Sequence, residues 1–304
     1  MSPLFLYTNA TYTVLMAAID YLLIGHVTQD LTPTGPALGG AVTYGGLTAH
    51  ALGRRVGVLT SLPENMGAVI APLRVLDVRR IPAAEFTTFE NIYTPAGRIQ
   101  HLRARAVDLS ISALPDGWNN PAILHLAPVA NEIPLDWVNK AVSGLRVATP
   151  QGWMRQWDAE GRVTYRPWLH AEYVLPRIDA VVMSIEDVLG DENLLRQYAK
   201  LVPILAVTRG PAGSTLFIHG MPQHIPAPRV SEIGPTGAGD IFAAAFFICL
   251  QTGSDPVRAA RFATLLASDS VRREGLASIP PRHMIRAASL ECRIDVLTQH
   301  TTET

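Results

Sequence analysis

The chain has 304 residues, of which 48% are hydrophobic and 17% are charged. This is the balance of a globular protein with a sizeable core, and it excludes a disordered chain. A formal net charge of −1 gives no basic surface of the kind that binds nucleic acid or an anionic membrane, so we expect a small-molecule partner.

The N-terminal stretch MSPLFLYTNATYTVLMAAIDYLLIG is apolar, but it has no basic region at its start, and Asp20 interrupts it before a spanning length is reached. We therefore expect neither a signal peptide nor a membrane span. Either residues 1–15 form an extra edge strand or translation starts at Met16. Cys249 and Cys292 have no CxxC or zinc spacing, which favours a reduced, cytoplasmic location.

Short apolar runs typical of buried strands alternate with helical patterns along the chain. The alternation predicts an α/β fold with a doubly wound, mostly parallel sheet and helices on both faces. Strands are predicted at Tyr21–His26, Val56–Leu59, Ala122–Leu126, Arg146–Thr149, Ala180–Ser184 and Ile204–Thr208. The intervening helices are predicted at Ala41–Leu52, Leu135–Val142 and Glu192–Leu201. A hairpin around Ser214–Ile225 and helices at 238–251, 256–273 and 281–298 follow.

One segment breaks the alternation, from about Phe86 to Ser112, and reads FTTFENIYTPAGRIQHLRARAVDLS. Thr-Pro-Ala-Gly is placed as a turn between two polar, β-prone arms. Such arms cannot bury both faces, so they are expected to cover something. A flap over a site, a contact between two chains and an ordinary surface hairpin are the three alternatives.

A glycine pair, Gly39-Gly40, precedes the first helix and places exposed backbone at its start. Upstream, Asp30 follows the first strand, at the edge of a parallel sheet where ligands bind in open α/β folds. A carboxylate there suits a ligand rich in hydroxyl groups, although a solvated loop aspartate is an equal alternative.

The segment VTRGPAGSTLF, residues 207–217, runs from a strand through a glycine turn into another strand. It is either a simple hairpin or the border of a nucleotide site. The chain has no GxxxxGK[ST], no strand-borne GxGxxG and no GxSxG, which weakens the usual nucleotide-binding and hydrolase interpretations.

The segment EIGPTGAGDIFAAAFF, residues 232–247, places close glycines directly before an aspartate and a buried helical run. The first turn of a helix has unpaired N–H groups and the positive end of the helix dipole, which suit a phosphate. Asp240 in that turn is a candidate base, but Asp is also a good residue for starting a helix. Spacing alone leaves both alternatives open.

Together these segments resemble the ribokinase-like, or PfkB, family of carbohydrate kinases over residues 20 to 281. TGAGD followed by Ile241-Phe242 matches the TGAGD-x-F signature of the family. The likeness is closest to the myo-inositol kinase branch. It is carried by LGGAVTY at 38–44, LPRIDAVVMSIEDV at 175–188, PTGAGD at 235–240 and EGLASIP at 274–280.

The resemblance implies one kinase domain over residues 1–304, with a lid at about 86–112. The domain would transfer the γ-phosphoryl group of ATP, with Mg²⁺, to a hydroxyl of a sugar or cyclitol. Asp240 would be the base, and the amides of Gly237, Ala238 and Gly239 would bind phosphoryl oxygens. The acceptor would be held by Asp30, Gly39, Gly40 and Tyr44, and the nucleotide would be bordered by Thr208, Gly210, Gly213 and Thr264.

Three departures from the family pattern bear on these roles. Tyr44 stands where members often have Asn, which changes the acceptor contacts. Ser184-Ile185-Glu186-Asp187 stands in place of Asn-x-x-Glu, so that a metal role would persist, indirectly, through Glu186 or Asp187. Gly234 stands where an acidic residue often opens the signature.

Arg98, at the tip of the lid, is either a cation over the transferring phosphate or a solvated surface residue. The lid is also a candidate contact for a homodimer. Two rival functions remain at this stage. A nucleoside kinase would need an aromatic platform such as Tyr44 or Phe89, and a non-catalytic sensor of a sugar or nucleotide would keep the pocket without the reaction.

Overall fold

The computed structural model describes residues 18–32, 35–94 and 97–296, without the side chains of residues 93, 94, 97 and 98. The alternatives for residues 1–15 and the turn of the lid at Pro95-Ala96 therefore lie outside the described residues. No helix within the described ranges is long and apolar enough to cross a membrane.

A nine-stranded sheet forms the centre of the molecule. Seven neighbouring strands are parallel, and the last two form an antiparallel hairpin at one edge. The order across the sheet is β15 (Met221–Ile225), β14 (Ser214–Ile218), β13 (Ile204–Thr208), β12 (Ala180–Ser184), β9 (Leu145–Ala148), β8 (Ile123–Leu126), β1 (Tyr21–Ile24), β4 (Val56–Leu62) and β5 (Asp77–Pro82). The six strands predicted from apolar runs all lie in this sheet, within one or two residues at most ends.

Both faces of the sheet are buried, as the apolar runs require. In β1, Tyr21 and Leu23 belong to one core, and Leu22 and Ile24 belong to the core on the opposite face. Four of the six helices pack on the first face, and their bounds are α1 (Ala41–Ala51), α4 (Ala238–Gln251), α5 (Pro256–Ser270) and α6 (Arg282–Cys292). The other two helices are α2 (Ala171–Val174) and α3 (Glu192–Tyr198).

A second sheet of four strands lies apart from the first. Its order is β3 (Gly35–Gly39), β2 (Thr28–Thr32), β6 (Thr88–Thr94) and β7 (Gly97–Ala104). Strands β6 and β7 are the two arms predicted for the lid, and residues 105–112 continue as a loop. A short hairpin of β10 (Arg155–Trp157) and β11 (Val163–Tyr165) adjoins β7 through a bridge between His101 and Arg162.

Two sequence predictions need correction. Asp30 does not sit in a loop after the first strand, because it lies within β2, where it pairs with Ala37 of β3. The helix predicted at Leu135–Val142 is a single 3-10 turn, Leu135–Asn139. It ends there because Trp137 and Val138 are already buried after one turn and Lys140 is extended.

His26 follows β1 and joins the lid to the large sheet. Its Nδ1 lies 2.8 Å from Oγ1 of Thr87, and its Nε2 lies 2.9 Å from the carbonyl oxygen of Val107. The carbonyl oxygen of Val107 can only accept, so Nε2 carries the proton and donates to it. Nδ1 then accepts from the hydroxyl of Thr87, whose oxygen also accepts from the amide of Ala106. Burial lowers the pKa of His26, which keeps this neutral tautomer. Both ends of the lid are therefore fixed at one side chain.

Candidate active site

A cavity of about 680 Å³ lies between the small sheet and the carboxyl ends of the parallel strands. Its floor is formed by residues at or just after β8, β9, β12 and β13, together with the start of α4. Its roof carries side chains of β2, β6 and β7. Carboxyl ends of parallel strands are where open α/β sheets bind ligands, and the volume suits a small substrate with a phosphate donor.

The glycine-rich turn forms the start of α4, as predicted. Gly237 is the residue that precedes the helix, with φ of 85°, and Asp240 lies in its first turn without capping it. Asp240 is therefore not the residue that caps the helix. The amide of Ala238 donates to the carbonyl oxygen of Pro235 at 3.2 Å. The role assigned to the Ala238 amide is therefore wrong, because this amide is already used. Among the described residues, the amides of Gly237, Gly239 and Asp240 have no such partner; those of Gly239 and Asp240 lie in the first turn of the helix and are the donors left there for an anion.

The carboxyl group of Asp240 has an unusually weak acidity. Burial raises its pKa to about 7, the negative charges of Asp187 and Asp30 add to the rise, and the positive charge of Arg155 opposes it. A carboxylate with a pKa near neutrality takes up and releases a proton readily at physiological pH, which is the property expected of a general base.

Tyr44, on α1, lies between the two ends of the cavity. It is 3% exposed, and its ring lies against Gly237 of α4. Burial raises its pKa to about 12, and the charges of Asp30 and Asp240 act in the same direction. The phenol of Tyr44 therefore stays protonated, and its ring packs against Gly237.

Most of the acceptor residues implied by the resemblance line the cavity. Asp30, Gly40 and Tyr44 line it. Gly39 does not, because it is buried under Asp30, where a Cβ atom would lie 2.4 Å from Oδ2 of that carboxylate. The glycine thus makes room for Asp30 and does not face the ligand. The side chain of Arg98 lies outside the described residues, so its role stays a prediction.

The side-chain amides of Asn91 and Gln100, on the two strands of the lid, complete this end of the cavity. The sequence analysis did not identify them. Nε2 of Gln100 donates to Oδ1 of Asn91 at 2.9 Å, across the β6–β7 pair, and both side chains line the cavity. Phe89 lies two residues before Asn91 and lines the cavity from the same strand. The alternation of side chains along a strand was the signal that could have placed them on one face.

All four residues assigned to the nucleotide border the opposite end of the cavity. Thr208 ends β13, Gly210 and Gly213 form the turn after it, and Thr264 comes from α5. The hydroxyl of Thr264 donates to the carbonyl oxygen of Ala260 at 2.8 Å, so its methyl group and the two lone pairs of its oxygen are what it offers a ligand.

The Ser184–Asp187 segment stabilises its own turn. Oδ2 of Asp187 accepts from the amide of Ser184 at 2.8 Å, and Oδ1 accepts from Nε2 of Gln151 at 3.0 Å. Burial raises the pKa of Asp187 despite these bonds. Glu186 is exposed and lines the cavity. No cluster of three metal-binding side chains occurs in the part of the chain that the structure describes, so Mg²⁺ would need Glu186, water and donor phosphates, a set that suits this ion.

Arg155 is a cavity residue that the sequence analysis did not identify. It begins β10 and lines the cavity between Phe89 and Asp187. No motif marks it, because a single arginine in a short edge hairpin is indistinguishable from a surface residue by sequence pattern.

Comparisons with known proteins agree with the architecture. Residues 162–282 match the profile of the pfkB family carbohydrate kinases. The match includes Thr208, Gly210, Gly213 and Thr264 and the α4 turn. It does not include the lid or Asp30.

Three relatives describe the likeness further. Inositol 3-kinase of Zea mays is 31% identical over 137 residues, which are 43% of this chain and 35% of that protein. A pyrophosphate-dependent kinase in the ribokinase family, complexed with a pyrophosphate analog and myo-inositol, is 24% identical, with a TM-score of 0.75 over 88% of this chain and 99% of that one. The ribokinase of Arabidopsis thaliana, complexed with ribose and ATP, is 19% identical, with a TM-score of 0.68 over 89% and 98%.

The chain spans about a third or less of the length of the curated relatives it matches. The solved structures establish a ribokinase-like fold with a mostly parallel sheet and a small second sheet. The resemblance to the ribokinase-like PfkB carbohydrate kinases, with likeness to inositol kinases, is confirmed.

Proposed function

We propose that this chain, similar to the pfkB family carbohydrate kinases over residues 162–282, is a kinase that phosphorylates a hydroxyl group of a sugar or cyclitol. One observation carries the proposal. A carboxyl group with a pKa of about 7, Asp240, lies in the first turn of α4 beside two amides that are free to bind an anion.

The proposed reaction follows from these groups. The acceptor hydroxyl gives its proton to the Asp240 carboxylate while its oxygen forms a bond to phosphorus. The bond between phosphorus and the leaving phosphate breaks, and its electron pair stays with that leaving group. The amides of Gly239 and Asp240 donate hydrogen bonds to the phosphoryl oxygens. Positioning and charge stabilisation of this kind supply most of the catalysis in phosphoryl transfer.

An uncharged acceptor with several hydroxyl groups is the proposed substrate, with myo-inositol favoured. Asp30 accepts hydrogen bonds from hydroxyls, and the amides of Asn91 and Gln100 both donate and accept them. The names of the inositol kinase relatives point the same way.

ATP is the proposed donor, with Mg²⁺ held by Glu186 and water. Inorganic pyrophosphate is the alternative, because a protein of the same fold is named as a pyrophosphate-dependent kinase. When bound, the donor supplies the phosphoryl group, and the chain orients it at the start of α4.

The nucleoside kinase alternative is weaker than it was from the sequence. Tyr44 is packed against Gly237, and the ring of Phe89 carries the guanidinium of Arg155 at 5.4 Å from its centroid. Neither ring is left open as a platform for a base. A non-catalytic sensor would not need a carboxyl group with a pKa near neutrality beside backbone amides that can bind an anion.

The proposal is tested with a panel of myo-inositol, other cyclitols, sugars and nucleosides. Each acceptor is incubated with Mg²⁺ and either ATP or pyrophosphate, and phosphorylated products are identified by phosphorus NMR. We expect a cyclitol or sugar to be phosphorylated. Calorimetric binding of an acceptor with no product from either donor would instead favour the sensor.

A further inference from the structure

The cavity that would hold the phosphate donor is lined by more acidic than basic side chains. Its lining includes the carboxylates Asp30, Glu186, Asp187, Glu232 and Asp240. Among the lining residues whose side chains the structure describes, Arg155 and Arg229 are the cationic ones. Transfer of a phosphoryl group in such a site requires a cation close to the reacting atoms.

Of these two arginines, Arg155 is the one whose guanidinium contacts both sides of the cavity, at the carbonyl oxygen of Val129 and at the ring of Phe89. Its charge also acts on Asp187 and Asp240. Arg229 is exposed, on the segment that follows the edge strand β15.

Arg155 is also held by both layers that enclose the cavity. One terminal nitrogen, Nη1, donates to the carbonyl oxygen of Val129, after β8, at 3.0 Å. The guanidinium carbon lies 5.4 Å from the centroid of the Phe89 ring in the lid. The carbonyl oxygen of Arg155 accepts from Nδ2 of Asn131 at 2.8 Å. A stacked, anchored guanidinium is oriented before any ligand binds, which lowers the cost of a bidentate contact.

We propose that the guanidinium of Arg155 donates hydrogen bonds to the transferring phosphoryl group and stabilises its charge. This inference rests on the proposed kinase activity. While the acceptor oxygen bonds to phosphorus and the proton passes to Asp240, Arg155 keeps its own protons and acts only through hydrogen bonds and charge. Because Phe89 lies on β6, the position of the lid sets the position of this cation.

The test compares Arg155→Met, Arg155→Lys and Arg155→Ala with the wild type. Arg177→Met is the matched control, because Arg177 stacks on Tyr173 at 4.0 Å but does not line the cavity. Removing one transition-state donor lowers turnover by about 100-fold to 1000-fold, so we expect that loss in kcat for Arg155→Met, with the acceptor KM nearly unchanged. Lys keeps the charge but not the fork, so Arg155→Lys should recover part of the loss.

Free guanidinium ion at non-denaturing concentration should raise the turnover of Arg155→Ala at least about tenfold, because the vacated site accepts the same cation. It should not raise the turnover of the control variant. A structural role would instead lower turnover and melting temperature together, without rescue, and that pattern overturns the inference. Turnover of Arg155→Met within about threefold of the wild type also overturns it, being far below the loss expected for a phosphoryl contact.

A binding measurement separates this inference from the kinase proposal. Calorimetry with inorganic pyrophosphate as the probe needs no turnover, and Arg155→Met should bind it at least about tenfold more weakly than the wild type and Arg177→Met. If the wild type phosphorylates nothing but this difference is found, the kinase proposal fails and the anion contact stands. Equal affinities in all three proteins overturn the contact.

Discussion

The ring of Tyr44 fills the space that a side chain at Gly237 would need. A Cβ atom on Gly237 would lie 2.3 Å from Cδ1 of Tyr44, and φ of Gly237 is +85°. The contact fixes α1, which follows the acceptor residues, against the turn that begins α4.

Gly237→Ala should therefore destabilise the protein and move the α4 turn. An alanine at position 237 would be strained in the left-handed backbone conformation, and its Cβ atom would overlap the ring of Tyr44. Together these effects lower the unfolding free energy by about 2 to 4 kcal/mol. Gly239→Ala is the control, because a Cβ atom there meets nothing within 4 Å. Chemical denaturation of the three proteins measures the difference. Equal losses of stability in both variants would contradict the contact described for Tyr44.

Asp240→Asn should abolish catalysis without unfolding the protein. Loss of a general base costs about 100-fold to 10,000-fold in rate. Because the pKa of Asp240 is higher in the folded state than in the unfolded state, the folded state binds the extra proton. The unfolding free energy of the protein therefore falls as pH rises from about 4 to 7. Asn removes this penalty, and at pH 8 the variant should melt at or above the wild-type temperature. Retention of more than about a tenth of the turnover by a normally folded variant would exclude Asp240 as the base.

The pH dependence of kcat/KM for the acceptor should report the same carboxyl group. With the donor saturating and an acceptor that does not titrate, the rate should level off above a pH of about 7 and fall about tenfold per unit below it. Asp30→Asn removes one of the charges that raise the pKa of Asp240, so its acid limb should shift to lower pH. A shift to higher pH would show that the limb belongs to another group.

His125 should make the protein sensitive to acid. It is buried between the hydroxyls of Tyr21 and Thr149, each 3.0 Å from one ring nitrogen, and burial lowers its pKa to about 3. The unfolded state binds the extra proton below about pH 6.5, so stability is lost as pH falls from 6.5 towards 3, by about 3 kcal/mol at pH 4.

The control for this acid effect is His125→Asn. It should be less stable than the wild type at pH 7, because partners lose hydrogen bonds, but its stability should fall less steeply between pH 6.5 and 4. Denaturation at a series of pH values gives both slopes. Parallel slopes would contradict a buried, neutral His125.

The lid segment 86–112 should gain protection from hydrogen exchange when the acceptor binds. Its strands carry Phe89, Asn91 and Gln100 over the cavity, so a bound acceptor adds contacts to them and makes their local opening rarer. The amide of Ala106, next to His26, should change little, because its hydrogen bond to Thr87 exists without a ligand. Unchanged exchange throughout β6 and β7 at saturating acceptor would remove the role of this segment as a lid.

The parallel sheet and the α4 turn were predictable because each is dictated locally. Buried strands such as β12 show as unbroken apolar runs, and the turn before Asp240 needs a glycine at position 237. The four-stranded sheet was only half predictable. Strands β2 and β3 are short and partly polar, and their partner β6 lies more than 50 residues away in the chain, so no local pattern marks them.

The cavity residues divide in the same way. Asp240 and Thr208 could be placed because they belong to a motif or end a strand, whereas Asp30 lines the cavity from β2, a strand that was not predicted. Arg155 could not be placed, because its position depends on contacts with Val129 and Phe89 from two other parts of the chain. The raised pKa of Asp240 also follows from burial, and secondarily from neighbouring charges, that exist only in the folded protein.

The place of β1 in the sheet bears on how the chain acquires this fold during synthesis. Tyr21 of β1 pairs with Val56 on one side and with Ile123 on the other. Strand β1 therefore waits, after its own synthesis, for about 100 further residues before both of its edges are covered. Such distant pairings slow folding and leave apolar edges open meanwhile. Arresting translation before and after β8 should give nascent chains that differ sharply in chaperone binding and protease resistance.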